Sequence, residues 1–172
     1  MTKKEVQQRV LKNGRPLDLD LFEWDEKTNT FSSNENVLML DFRNVDSCTF
    51  KTGSNCTFDT GSNCTFKTNS SCTFKTGSNC TFDTGFDCIF KTGSNCTFDT
   101  GSNCTFDTGS DCVIVRRDVY EVIELEENQK IKLHDYGVKG FDIIDKDEEK
   151  KGKKVKICLS DNQIVEGTII EE

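Results

Sequence analysis

From Cys72 the chain reads Cys72-Thr73-Phe74-Lys75-Thr76-Gly77-Ser78-Asn79, and this octad, C-T-F-[KD]-T-G-S-N in general form, recurs without interruption from Cys48 to Cys112. One small structural unit therefore fills the central third of a 172-residue chain. In an extended backbone, Cys and Phe at positions one and three project to one side, and Thr and Lys or Asp at positions two and four project to the other. A helix would need apolar residues three and four apart, and a period of eight drifts round its surface, so the repeat is not helical. Position six is Gly at Gly53, Gly61, Gly77, Gly85, Gly93, Gly101 and Gly109, and Asn at Asn69. Both residue types accept positive φ, which predicts that the left-handed residue of each corner sits there.

A strand of four or five residues followed by a tight corner fits two architectures. An antiparallel meander would leave Cys and Phe on one open face, and its three-residue hairpin loops place the left-handed residue last, whereas Gly comes first in Gly-Ser-Asn. A two-sided β-solenoid with about 16 residues per coil instead buries its own interior. The predicted fold is all-β with one short N-terminal helix, built on a short solenoid of octapeptide repeats. Its interior ladder is Cys48, Cys56, Cys64, Cys72, Cys80, Cys88, Cys96, Cys104 and Cys112 with Phe50, Phe58, Phe66, Phe74, Phe82, Phe90, Phe98 and Phe106. Position four reads Lys51, Asp59, Lys67, Lys75, Asp83, Lys91, Asp99, Asp107. Stacking at sixteen gives three opposite and three like neighbours in this row, a better balance than a three-sided coil offers.

The flanks read as caps. Residues 1–47 form an N-terminal cap: a helix from Lys3 to Lys12 closed by Asn13-Gly14 and Pro16, a hairpin around Glu26-Lys27-Thr28-Asn29, and a strand from Val37 to Phe42. Leu40 and Phe42 lie eight residues before Cys48 and Phe50, which starts the solenoid register ahead of the cysteines. Residues 48–112 are the solenoid. Residues 113–172 read as a small antiparallel β domain with strands Val113–Arg117, Val119–Leu125, Lys130–Leu133, Val138–Ile144, Val155–Leu159 and Ile164–Ile170. The charged run from Asp145 to Lys154 reads as a solvated loop tip, and Ser160-Asp161-Asn162 as a turn.

The net charge of −8 disfavours direct nucleic-acid binding through a basic footprint. No stretch is apolar enough to span a bilayer, and no N-terminal segment has the order of a secretory signal, so the expected location is cytoplasmic. The Asn-Cys-Thr triplets at Asn55, Asn63, Asn79, Asn95 and Asn103 then follow from turn chemistry and not from glycosylation. The cysteines read as small, reduced core residues. With His134 as the single histidine and no C-x-x-C, no metal or other cofactor is expected. No catalytic constellation emerges, because the carboxylates of the repeat are evenly spaced and not paired in a cleft.

Two irregularities are candidate partner-binding residues. Phe86 stands where Ser is normal and Ile89 where the outward Thr is normal, through contact either with a partner or with a folded-back flank. Arg116 and Arg117, just past the last octad, suit an anion or carboxylate surface, or salt bridges to the acid-rich stretch around Glu124, Glu126 and Glu127.

The octads, together with the strings Lys27-Thr28-Asn29-Thr30-Phe31-Ser32-Ser33 and Val115-Arg116-Arg117-Asp118-Val119-Tyr120-Glu121-Val122-Ile123, resemble an uncharacterised family of octapeptide-repeat proteins of tailed phages and gut microbial sequences. The resemblance spans nearly the whole chain. It implies a phage or prophage setting, hence host cytoplasm or virion, and brings no activity, cofactor or site. The expected function is a non-enzymatic structural or protein-interaction module that binds a protein partner or associates with itself. The alternatives are an acidic-repeat inhibitor imitating nucleic acid, which four Lys against six Asp in the octads weaken, and a carbohydrate-binding module.

Overall fold

In the computed structural model, residues 1–144 are described in full, together with the backbones of two paired strands, Lys153–Cys158 and Ile164–Ile169. Of the expected loop tip from Asp145 to Lys154, residues 145–152 lie outside the described residues and Lys153 and Lys154 belong to the first of these strands; the turn at 160–162 also lies outside the described residues.

The repeat folds as a two-walled β-solenoid of about five coils with sixteen residues each. In one wall the strands Thr49–Lys51, Thr65–Lys67, Thr81–Asp83 and Thr97–Thr100 pair in parallel, placing Phe50, Phe66, Phe82 and Phe98 in one row. In the other, Thr57–Thr60, Thr73–Lys75, Ile89–Lys91 and Thr105–Asp107 do the same for Phe58, Phe74, Phe90 and Phe106. Most strands have only three residues, shorter than the expected four or five, because position five turns inward toward the corner. Every ladder Cys and Phe is buried. Rings sixteen apart stack with parallel planes, at 4.8 Å and 5° for Phe66 and Phe82, and rings eight apart meet edge-on, at 5.2 Å and 74° for Phe74 and Phe82. Both geometries suit the quadrupole of an aromatic ring, so one Phe column satisfies its neighbours within and across the walls.

The corners differ from expectation in one respect. The left-handed residue is position eight: Asn55, Asn63, Ser71, Asn79, Asp87, Asn95, Asn103 and Asp111 all have φ between 56° and 60°. Asn and Asp tolerate this region because their short polar side chains bond locally. The glycines of position six are needed for close approach instead. A Cβ on Gly77 would lie 2.1 Å from Ser62 Oγ and 3.0 Å from its backbone nitrogen. That serine hydroxyl accepts the N–H of Ser78 at 3.1 Å, and Ser78 and Ser94 repeat the bond to Ser94 and Ser110. The hydroxyl ladder thus fills the space that position six leaves open.

Both walls run past the octads. Upstream, Thr30–Ser32 pairs in parallel with Thr49–Lys51, so Phe31 stands below Phe50. Leu38–Phe42 pairs with Thr57–Thr60 so that Leu40 lies under Phe58 and Phe42 under Thr60. The expected equivalence of Leu40 with Cys48 is therefore off by two residues, because a longer connection between Phe42 and Cys48 absorbs the difference. The N-terminal helix spans Lys3–Gln7 only, held by a capping box between Thr2 and Glu5. Val10–Lys12, which helical spacing assigned to that helix, is a strand antiparallel to Leu38–Phe42, because covering the exposed edge of the first coil outweighs local helix preference.

Downstream, Cys112–Arg116 continues the first wall in parallel, and Glu121–Leu125 closes it antiparallel. Lys130–Leu133 and Phe141–Ile143 close the other wall, also antiparallel. The described part of 113–144 is therefore not a separate domain docked on the last coil. Its strands are the final rungs of the two sheets. Among the described residues no helix is long and apolar enough to cross a membrane.

Candidate interaction surface

The ladder residues are inside and carry no surface chemistry. All nine cysteines between 48 and 112 are free thiols. Each points to the corner carbonyls: Cys80 Sγ donates to the carbonyl of Ser78 at 3.5 Å, and Cys72 Sγ to that of Gly53 at 3.6 Å. A small side chain with a weak donor satisfies corner groups that an alanine would leave bare. Burial, followed by the neighbouring Cys64 thiol and Asp46, pushes the Cys48 thiol up to about 11.

Phe86 and Ile89 flank one corner three residues apart, 54% and 51% exposed. No described flank folds over them. Ile89 stands on the outer face between Thr73 and Thr105. Phe86 occupies the ladder position of serine and brings no hydroxyl, so the bond that Ser62, Ser70, Ser78 and Ser94 accept from the next coil is absent at Ser102. In the same octad Thr84 Oγ1 is buried without a hydrogen-bond partner, whereas Thr76, Thr92 and Thr108 bond the carbonyl of the following glycine at 3.2 to 3.3 Å. The corner between this octad and the next thus exposes two apolar side chains and leaves one hydroxyl unsatisfied.

The two arginines separate. Arg117 is at the surface, pairing with Asp83 at 2.8 Å and Asp99 at 3.1 Å and donating to the carbonyl of Thr84. Arg116, expected beside it as a surface residue, is fully buried. Its guanidinium meets Asp118 through two hydrogen bonds of 2.7 and 3.2 Å and donates to the carbonyls of Val138, Gly140 and Asp135. Burial pushes the Asp118 carboxyl up, but hydrogen bonds from Arg116 and the Gly137 N–H outweigh it and hold the group below its usual range. Neither arginine pairs with Glu124, Glu126 or Glu127. Arg116 is a structural clamp on the 135–140 loop, and a buried arginine of this kind is indistinguishable from an exposed one in sequence.

One feature was not foreseen from the sequence. Along the corner that follows Ser32, Lys51, Lys67 and Asp83, four coils leave an open trough of about 1140 Å³ that ends at Phe86 and Arg117. The signal lay in the sixteen-residue spacing of Lys51, Lys67 and Asp83, which only wall assignment converts into one row. On the outer faces lysines and aspartates mix: Lys67 pairs with Asp83 at 3.7 Å and Lys75 with Asp59 at 3.4 Å. Among the described residues no group of three His, Cys, Asp or Glu side chains comes together to hold a metal ion.

These features define the class: a capped, two-sheet β-solenoid of sixteen-residue coils with one irregular corner. Comparison with family models, curated proteins and solved structures gives no match.

Proposed function

We propose that this chain is a non-enzymatic structural or interaction module, a β-rod that holds fixed side chains toward a partner. The supporting observation is the corner of Phe86 and Ile89, where a repeat that could have continued as Ser and Thr instead exposes two apolar residues. Exposed apolar groups on a rigid scaffold suit recognition, since little entropy is lost when they are covered. A binding partner or a second copy of the chain is the expected ligand, in the phage or prophage setting that the resemblance implies.

The test uses the wild-type protein and the double variant Phe86→Ser/Ile89→Thr, which restores the octad, as paired baits against a host-cell extract. A partner held by the wild type and lost by the variant, with thermal unfolding of the variant not lowered, is the expected result. Identical retention by both baits, or turnover of a small substrate by the purified protein, would overturn the reading.

A further inference from the structure

The octads depart from Gly-Ser at positions six and seven in two places, Asn69 and Phe86, and both line the same trough. They lie on adjacent coils of the corner that follows one wall. Neither side chain is buried in the core. Asn69 places an exposed amide where the other corners have glycine, and Phe86 supplies no hydroxyl to continue the serine ladder. Side chains that break a local rule without a packing gain mark a site where another requirement operates.

The charge of the trough is also unlike that of the molecule. Its wall carries Lys51, Lys67 and Arg117 against Asp83, with Asp99 also paired to Arg117 from beside it, which leaves one cation in excess in a chain of net charge −8. Lys51 has no ion-pair partner among the described residues, while Asp83 is occupied by Lys67 and Arg117. The remaining lining is hydroxyl, amide and backbone. The coils advance by about 4.8 Å, close to the step of one pyranose along a linear glycan, so equivalent groups on successive coils can meet successive sugar units.

We propose that this trough binds a linear acidic oligosaccharide, a proposal that rests on the reading of the rod as a binding module. Phe86 offers a ring face to the C–H side of one sugar, Asn69 and the corner serines exchange hydrogen bonds with hydroxyls, and Lys51 and Lys67 pair with carboxylates. The trough is open along its length, which admits an internal stretch of a polymer. A single-stranded nucleic acid, the other linear anion, would need several stacking platforms in succession, and the trough supplies one.

The experiment is calorimetric titration of the whole protein with a galacturonate hexamer, its methyl ester, and a short oligothymidylate. The galacturonate should bind with a dissociation constant below about 1 mM and the ester about tenfold more weakly. Phe86→Ser and Asn69→Gly, which both restore the octad and keep the fold, should each weaken binding of the acid by about tenfold, and Lys51→Gln should narrow the gap between acid and ester. Absence of binding, equal binding of acid and ester, oligothymidylate binding as tight as the acid, or indifference to Phe86→Ser and Asn69→Gly would each overturn the proposal. The paired-bait result is independent, so a partner lost on restoring Phe86 and Ile89 would leave the module reading standing even if no glycan bound. Binding accompanied by cleavage of the hexamer would support the trough as a glycan site and overturn the non-enzymatic reading.

Discussion

At the scale of single residues, the octad assigns each position a different physical task. At most corners the glycine of position six leaves room for a hydroxyl of the neighbouring coil, and position eight must tolerate φ near 58°. The glycines are not equivalent, however. A Cβ on Gly77 would strike Ser62, whereas one on Gly101 would meet only Phe86 Cβ at 3.3 Å and its backbone at 3.4 Å, since Phe86 has no hydroxyl pointing into that space. Gly77→Ala should therefore cost about 1–3 kcal/mol through overpacking and loss of the Ser62 bond. Gly101→Ala should stay within about 0.5 kcal/mol of wild type, because the lower entropy of the unfolded chain offsets a slight crowding. Urea midpoints of the two variants at equal m-value provide the comparison, and equal losses would refute the close-approach account.

At the scale of elements, the ends of the two sheets are where stability depends on conditions. The last strand of the nine-stranded wall, Phe141–Ile143, is joined to its neighbour through His134, whose Nδ1 lies 2.9 Å from the carbonyl of Lys139 and whose Nε2 lies 3.2 Å from Asp142. The Lys139 carbonyl and then Asp142 raise the imidazole above its ordinary value. A raised folded value means that the protonated form is favoured by folding. The contribution is complete below the unfolded value of about 6.5 and is lost as pH rises through the higher folded one. Hydrogen exchange corrected for intrinsic rate should thus show residues 141–143 opening more readily at pH 8 than at pH 5.5. His134→Asn should remove that difference while leaving the protection of Phe82 and Phe90 unchanged.

At the scale of the whole molecule, a stack of parallel coils requires closed ends, because an open rung is a template for another chain. Here Val10–Lys12 and Arg15–Pro16 cover one wall at the start, with proline on the outermost strand, and antiparallel strands cover both walls at the finish. The finishing cap hangs on Arg116. Replacing it by Met would leave the Asp118 carboxylate buried without its cation and the Val138 carbonyl without its donor, so Arg116→Met should lower unfolding free energy by about 3–5 kcal/mol. Arg117→Met, which removes two exposed ion pairs and one partly buried bond to the Thr84 carbonyl, should cost about 1 kcal/mol. Chemical denaturation of both variants decides this, and a similar small loss in each would show that Arg116 is not the clamp.

The octad by itself determined the alternation of faces, the sixteen-residue coil and the sealed Cys and Phe interior, because a strict period leaves a strand only one consistent way to bury the same side chains at every turn. It also marked Phe86 and Ile89 as exceptions. Tertiary structure alone decided the two-residue shift at Leu40, the strand at Val10–Lys12, the burial of Arg116, and the trough joining Lys51, Lys67, Asn69 and Phe86. Each of these depends on what stands one coil above or below, and that neighbour is sixteen or more residues away, where local preference carries no information.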